Sequence, residues 1–120
     1  MVPYPLGRAP SQRYRIEQFL PLLNKHHLTY QIEPFFTASE GELLYTAGNG
    51  LKKMINVLRG FARRFSLLLK GLNEYDYVFI HREAAPAGPP IIEWILRWIL
   101  KKKIIYDFDD AIWMPDPSSN

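Results

Sequence analysis

The sequence predicts an α/β fold in which helices cover a parallel β-sheet. Two short runs rich in β-branched and aromatic residues, Tyr77–Ile80 and Ile104–Phe108, have the composition of buried strands. Longer segments with apolar residues at helical spacing lie before and between them. Because helical and strand segments alternate along the chain, we expect right-handed crossovers and a Rossmann-like sheet.

The composition suits one small folded domain. The 120 residues are 48% hydrophobic, which is ample for a core. There is no cysteine, so the sequence offers neither disulfides nor thiolate metal ligands, and we expect a cytoplasmic protein. No apolar run approaches the ~20 residues that span a bilayer. The net charge of +3 suits phosphate-bearing ligands or an anionic membrane surface, and nucleic acid is not among the expected partners.

The first quarter of the chain should contain a loop and a helix. Prolines and a glycine mark residues 1–10 as a loop. Ser11 is a good N-cap for a helix that runs to about Lys25. Pro21 should kink or shorten this helix, because proline lacks the N–H that a helix interior needs.

A strand and a long helix should follow. Leu28–Glu33 alternates apolar and polar residues, which predicts a strand that Pro34 ends. A loop or short helical turn is expected over 35–50. The next helix is strongly amphipathic and basic, and we expect its apolar face to pack on the sheet; in a second interpretation its charges attract anionic lipid. The apolar residues that define this face are Leu51, Met54, Ile55, Leu58, Phe61, Ala62, Phe65, Leu68, Leu69 and Leu72.

Charged side chains follow both predicted strands of the second half. His81, Arg82 and Glu83 come directly after the first one. Pro89 and Pro90 then favour a helix entry, and the helix should run to the lysines at 101–103. This helix is apolar on most sides, so we expect it to be largely buried, with Glu93 paired to Arg97.

The most informative stretch is the acidic end of the last strand. Asp107, Asp109 and Asp110 place three carboxylates within four positions. Like charges this close repel unless a cation or hydrogen-bond donors meet them. Parallel α/β sheets bind ligands at the carboxyl ends of their strands, so we predict a functional edge here. The structural alternative is that these aspartates cap the next helix and pair with Arg82 or Arg8.

Three blocks of sequence, in this order, resemble the N-terminal domain of bacterial retaining GT-B glycosyltransferases of the group 1 family. The blocks are Val2–Arg15, Tyr77–Ala84 and Lys103–Trp113. The resemblance implies a two-domain enzyme that moves a sugar from a nucleotide-sugar donor to a sugar or lipid-linked acceptor. Residues 1–120 would then be the acceptor-side half, a partial domain that lacks most of its first strand.

The resemblance also implies roles for individual residues. Asp109 and Asp110 match the position of a His-Asp pair in many members and are the predicted catalytic residues; aspartate replaces the histidine at 109. Neighbouring residues are predicted to bind substrate, and the arginines among them suit phosphate oxygens. No metal site and no cofactor are predicted, and association with the inner face of the plasma membrane is expected. The predicted substrate-binding residues are Gly7, Arg8, Arg13, His81, Arg82, Glu83 and Asp107.

Two other functions remain open at this point. Asp107 and Asp109 after an apolar strand are also similar to the first motif of haloacid-dehalogenase-type phosphohydrolases, which need Mg²⁺. A metal-binding D-x-D of the other glycosyltransferase fold fits the same spacing. Alternatively, a chain with only half of a cleft would bind a sugar or a membrane without catalysis.

Overall fold

The computed structural model describes residues 1–108, which form a mixed α/β structure. Its elements, in chain order, are helix α1 (Pro10–Arg15), a 3₁₀ turn (Glu17–Phe19), α2 (Leu20–Lys25), α3 (Ala38–Leu44), α4 (Gly50–Lys70), strand β1 (Tyr77–His81), α5 (Ile91–Trp94) with a π-helical extension (Ile95–Ile99), and β2 (Lys103–Asp107).

Strands β1 and β2 form a two-stranded parallel sheet. The register runs from Tyr77 opposite Lys103 to His81 opposite Asp107. Both predicted strands are therefore confirmed, together with their parallel direction. The register also sets the two strand ends, with their charged residues, side by side.

The predicted strand over Leu28–Glu33 does not form. Next to this segment, strand-like pairing is limited to a parallel bridge between Val2 and Pro34. A strand needs a hydrogen-bonding neighbour along its length. Residues 28–33 face an open cleft instead, so their alternating pattern has no ladder to join.

The predicted N-terminal helix is divided. Ala9, not Ser11, is the N-cap of α1, and the backbone leaves the helical region at Ile16. A 3₁₀ turn then leads into α2, where Pro21 lies in the first turn. Proline is tolerated there because first-turn N–H groups have no intrahelical partner. The break therefore comes five residues before the proline that was expected to cause it.

Helix α3 begins with a capping box. The Thr37 hydroxyl accepts a hydrogen bond from the Glu40 N–H, and the Glu40 carboxylate accepts one from the Thr37 N–H. Arg63 of α4 forms an ion pair with the same carboxylate. Partial burial raises the pKa of Glu40, but the hydrogen bonds from Arg63 and Thr37 outweigh it and leave the pKa lowered. The ion pair between Glu40 and Arg63 thus connects α3 to α4.

Helix α4 forms where a helix was predicted, but its apolar face does not pack on the sheet as expected. Most of the predicted apolar face is exposed, up to 61% at Leu58 and 86% at Leu69. Leu68 and Leu72, at the C-terminal end, do enter the core. The apolar face of α4 consists of the exposed residues Leu51, Met54, Ile55, Leu58, Ala62, Phe65 and Leu69.

The opposite side of α4 packs on the protein. Its buried residues recur every fourth position: Asn56, Gly60, Arg64 and Leu68. Gly60 lies against the ring of Phe35, and a Cβ at this position would collide with that ring. The Arg64 guanidinium lies 5.7 Å from the same ring. Because Gly60 has no side chain, the ring of Phe35 can pack directly against the backbone of α4. This packing uses the polar side of the helix, so the apolar face is left toward solvent.

Arg64 links three loop segments that are distant in sequence. It is 1% exposed and donates hydrogen bonds to the carbonyl oxygens of Val2 (2.9 Å), Glu33 (2.9 Å) and Ala84 (2.7 Å). Burial lowers the pKa of Arg64 to about 10, so the guanidinium stays charged at neutral pH. Its planar fork of donors suits three carbonyls at once.

Helix α5 and its extension are less buried than predicted. Ile92 and Leu96 are buried, whereas Trp94 and Ile99 are exposed and Trp98 is 67% exposed. Glu93 accepts hydrogen bonds from the Ala84 N–H and the Tyr106 hydroxyl, not from Arg97 as expected. The core, which joins this helix to the sheet and to the end of α4, consists of Leu68, Leu72, Val78, Ile80, Ala84, Ile92 and Leu96.

Candidate functional site

The carboxyl ends of β1 and β2 hold a cluster of polar side chains. His81 is the last residue of β1, and the register places it beside Asp107, the last residue of β2. Helix α1 brings Ser11 and Arg15 against the same edge. We call Ser11, Arg15, His81 and Asp107 the edge cluster.

A continuous chain of hydrogen bonds runs through the edge cluster. His81 Nδ1 lies 2.8 Å from Asp107 Oδ2, and His81 Nε2 lies 3.3 Å from Ser11 Oγ. Arg15 Nε donates to both Asp107 oxygens, at 2.8 and 3.0 Å, and Arg15 Nη2 donates to Oδ1 as well. An ionised carboxylate only accepts, so Nδ1 is the donor to Asp107. In the neutral ring, Nε2 is then the acceptor for the Ser11 hydroxyl.

The charges of the cluster fix its ionisation. Hydrogen bonds from Arg15, and after it from His81, hold the pKa of Asp107 below its usual range, although partial burial acts in the opposite direction. Asp107 is therefore an anion at neutral pH. His81 is fully buried, and among residues 1–108 its two ring nitrogens face Asp107 and Ser11.

A second group lies next to the cluster, at the rim of the same edge. Arg82 has φ 63°, a left-handed conformation that non-glycine residues seldom adopt. Burial raises the pKa of Glu83, Glu93 adds to this effect, and the charge of Arg82 opposes it. Burial and the neighbouring Tyr45 hydroxyl raise the pKa of Tyr4, on which the charges of Arg82 and Glu83 also act. We call Tyr4, Tyr45, Arg82 and Glu83 the rim group.

The loop that carries Gly7 is held in place by its neighbours. Gly7 has φ 77°, a conformation that favours glycine. Its N–H donates to the carboxylate of Glu17, at 2.9 and 3.0 Å. The buried Gln12 donates to the same carboxylate and to the Pro5 carbonyl oxygen. The Gly7 N–H is thus engaged by a carboxylate, not turned toward a phosphate.

Two of the predicted substrate-binding arginines lie apart from the edge cluster. Arg8 forms an exposed ion pair with Glu42 of α3, with a distance of 2.8 Å. The Arg13 guanidinium lies 5.9 Å from the ring centre of Tyr14, on the exposed side of α1. The structure therefore brings together His81, Arg82, Glu83 and Asp107 from the predicted set. The predicted catalytic residues Asp109 and Asp110 lie outside the described residues.

Sequence reasoning missed two members of the edge cluster. Ser11 was expected as a helix cap and Arg15 was not among the predicted site residues, yet both reach the strand ends. The signal was their spacing of four, which places them on one side of a helix. This side of α1 meets β1 and β2 only because α1 lies beside the ends of both strands. The spacing alone does not show where the helix lies.

Two observations on residues 1–108 concern the metal-dependent alternatives. Within residues 1–108, no three histidine, aspartate or glutamate side chains come together as a metal site would require. Both oxygens of Asp107, the nucleophile in the phosphohydrolase alternative, accept hydrogen bonds from Arg15, and one also bonds to His81.

Comparison of the chain with protein-family models, with curated proteins and with solved structures finds no match.

Proposed function

We propose that the chain is the acceptor-side half of a GT-B glycosyltransferase, which moves a sugar from a nucleotide-sugar to a hydroxyl acceptor. One observation carries the proposal. The carboxyl ends of two parallel strands, where α/β proteins bind ligands, hold a partly buried ionic cluster and a rim with a carboxylate, a guanidinium and two tyrosines. Such a rim suits a polyhydroxylated ligand.

The edge cluster is assigned a positioning role. The order Ser11, His81, Asp107 is that of a nucleophilic triad, in which the aspartate stabilises the imidazolium that forms. Here both oxygens of Asp107 also accept hydrogen bonds from Arg15, so the carboxylate is shared between Arg15 and His81. The cluster therefore serves to hold α1 and the Gly7 loop against the strand ends. Ser11 is left to present its hydroxyl at the edge.

The rim group supplies the contacts to the acceptor. A carboxylate can accept hydrogen bonds from two sugar hydroxyls at once. The raised pKa of Glu83 makes it a better proton acceptor than an ordinary glutamate, as a base that assists a hydroxyl nucleophile should be. Tyr4 and Tyr45 offer aromatic surface to the C–H face of a sugar. Arg82 is placed to meet an acidic or phosphate group of either substrate.

The phosphohydrolase alternative is weaker on these grounds. A nucleophilic aspartate has to present a free carboxylate oxygen to phosphorus. In the structure, Asp107 is held by Arg15 and His81 instead. A binding-only role for the same rim is distinguished by measuring transfer as well as binding.

Sugar binding tests the rim group. In ¹H–¹⁵N NMR titrations with methyl glycosides and nucleotide-sugars, we expect at least one ligand to shift the amide signals of Tyr4 and of 81–84. Glu83→Gln keeps the shape but removes the charge, and should weaken that binding about tenfold or more, because hydrogen bonds to a charged group contribute about 1.5–3 kcal/mol. Glu74→Gln, an exposed glutamate before β1, is the matched control. Shifts confined to other surfaces, or equal weakening by both variants, would count against the proposal.

We further propose that the apolar face of α4 rests on an anionic membrane surface, where a lipid-linked acceptor would be found. The exposed cations Lys52, Arg59 and Lys70 recur on one flank of this face, as the helical repeat dictates. An apolar stripe flanked by cations is typical of helices that lie in the membrane interface. None of the helices within residues 1–108 is both long and apolar enough to cross a bilayer.

A further inference from the structure

An apolar cleft separates β1 from residues 28–33. Its volume is about 820 Å³. Phe19 and Leu23 line it on the helical side, Tyr30 and Ile32 on a second side, and Phe79 on the side of β1. Its lining includes residues 77–79 on one wall and 28–33 on the other, and the bridge between Val2 and Pro34 follows directly after the second wall.

Met1 and Val2 already connect the two walls in the manner of a middle strand. The Met1 amino group donates to the Phe79 carbonyl oxygen (2.6 Å), and the His81 N–H donates to the Met1 carbonyl oxygen (3.2 Å). These two bonds, to residues on either side of Ile80, have the parallel pattern. On the other wall, the Val2 N–H donates to Glu33 (3.0 Å) and the Phe35 N–H to Val2 (2.9 Å). The strand position that Met1 and Val2 occupy continues backward into the cleft.

On the cleft side, the backbone of β1 can form hydrogen bonds with another strand. Successive N–H groups of a strand point to opposite edges. The Arg82 N–H donates to Asp107 on the β2 side, and the His81 N–H donates to Met1 on the cleft side. Every second residue of β1 shares a direction, so the N–H groups of Tyr77 and Phe79 point into the cleft, as that of His81 does.

We propose that the cleft is the binding slot for one further β-strand, an extended segment of apolar, β-branched residues that runs parallel to β1 between it and residues 28–33. The strand would be roughly five residues long, to match β1. It would turn the two-stranded sheet into a larger one and give residues 28–33 the partner that their alternating pattern requires. The proposal concerns the sheet and is independent of sugar transfer.

The slot is tested by adding a strand directly before Met1. One variant carries a five-residue valine and isoleucine segment there, and the matched control carries five glycine and serine residues. We expect the apolar segment to raise the thermal midpoint by about 10 °C or more over the control, since it buries several apolar side chains. It should also slow hydrogen exchange at the Tyr77 and Phe79 amides and within 28–33.

Two outcomes would overturn the proposal. In the first, the apolar and the glycine-serine segments give the same midpoint and the same exchange rates. In the second, the unextended chain protects the Tyr77 and Phe79 amides as its concentration rises, with a dimer seen by sedimentation. The cleft would then be filled by another copy of the chain and not by an added strand.

Discussion

Replacing Arg64 with methionine is expected to lower the free energy of unfolding by about 3 kcal/mol or more. The guanidinium donates to the carbonyl oxygens of Val2, Glu33 and Ala84, in a place that is almost fully buried. Methionine fills much of the space but donates nothing, so all three hydrogen bonds are lost. Within residues 1–108, the Ala84 carbonyl oxygen then has no donor, while the Val2 and Glu33 carbonyl oxygens keep only their backbone donors, Phe35 and Val2. A hydrogen bond from a charged donor contributes about 1.5–3 kcal/mol, so the loss of three such bonds is enough for a decrease of this size. Urea unfolding followed by circular dichroism measures the loss.

Arg59→Met is the matched control for this change, because Arg59 is exposed on the same helix. Its effect should stay within about 0.5 kcal/mol. Arg64→Lys adds a second comparison: it keeps the charge but not the planar fork, so it should fall between wild type and Arg64→Met. Equal stability of the Arg64→Met and Arg59→Met variants would mean that α4 does not pack through its polar side.

Replacing Leu58 and Leu69 together with serine is expected to weaken membrane binding about a hundredfold. Both side chains are largely exposed on the apolar face of α4. Transfer of a leucine side chain out of water contributes about 1.5–3 kcal/mol, and tenfold in affinity corresponds to about 1.4 kcal/mol. The measurement is cosedimentation with vesicles that contain phosphatidylglycerol, compared with vesicles of phosphatidylcholine alone.

The control pair is Leu6→Ser with Leu22→Ser, two exposed leucines on other parts of the surface. It should leave binding unchanged. Arg59→Gln should weaken binding to the anionic vesicles by a smaller factor, about 1 kcal/mol for one charge, and added salt should remove that difference. If both leucine pairs weaken binding equally, or the wild-type chain ignores lipid charge, α4 is not the membrane-binding surface.

Local pattern was enough to predict most of the elements. The apolar runs at Tyr77–Ile80 and Ile104–Phe108 are short and β-branched, and both became strands at those places. The three-and-four spacing after residue 50 predicted α4 almost to its ends. The parallel arrangement followed from the helix between the two strands. From these elements the sequence also indicated that His81 and Asp107 would lie at one edge.

What the sequence did not reveal depends on contacts between distant segments. Periodicity shows that α4 has an apolar side but not what that side faces. Gly60 and Arg64, one turn apart, were the signal that the other side packs closely, through Phe35 and three loop carbonyls. Residues 28–33 carry a strand pattern, but a strand forms only beside a partner. Arg15 joined the edge cluster through a contact with Asp107, 92 residues away.

Sugar transfer by the protein purified from the cells that make it tests the central claim most directly. The assay supplies labelled nucleotide-sugars and the extracted lipids and glycans of those cells as acceptors. We expect transfer of one labelled sugar, reduced by two orders of magnitude or more by Asp109→Ala or Asp110→Ala. The contradicting result is an absence of transfer from every donor, together with Mg²⁺-dependent phosphate release that Asp107→Asn abolishes. That result would assign the acidic strand end to phosphate hydrolysis.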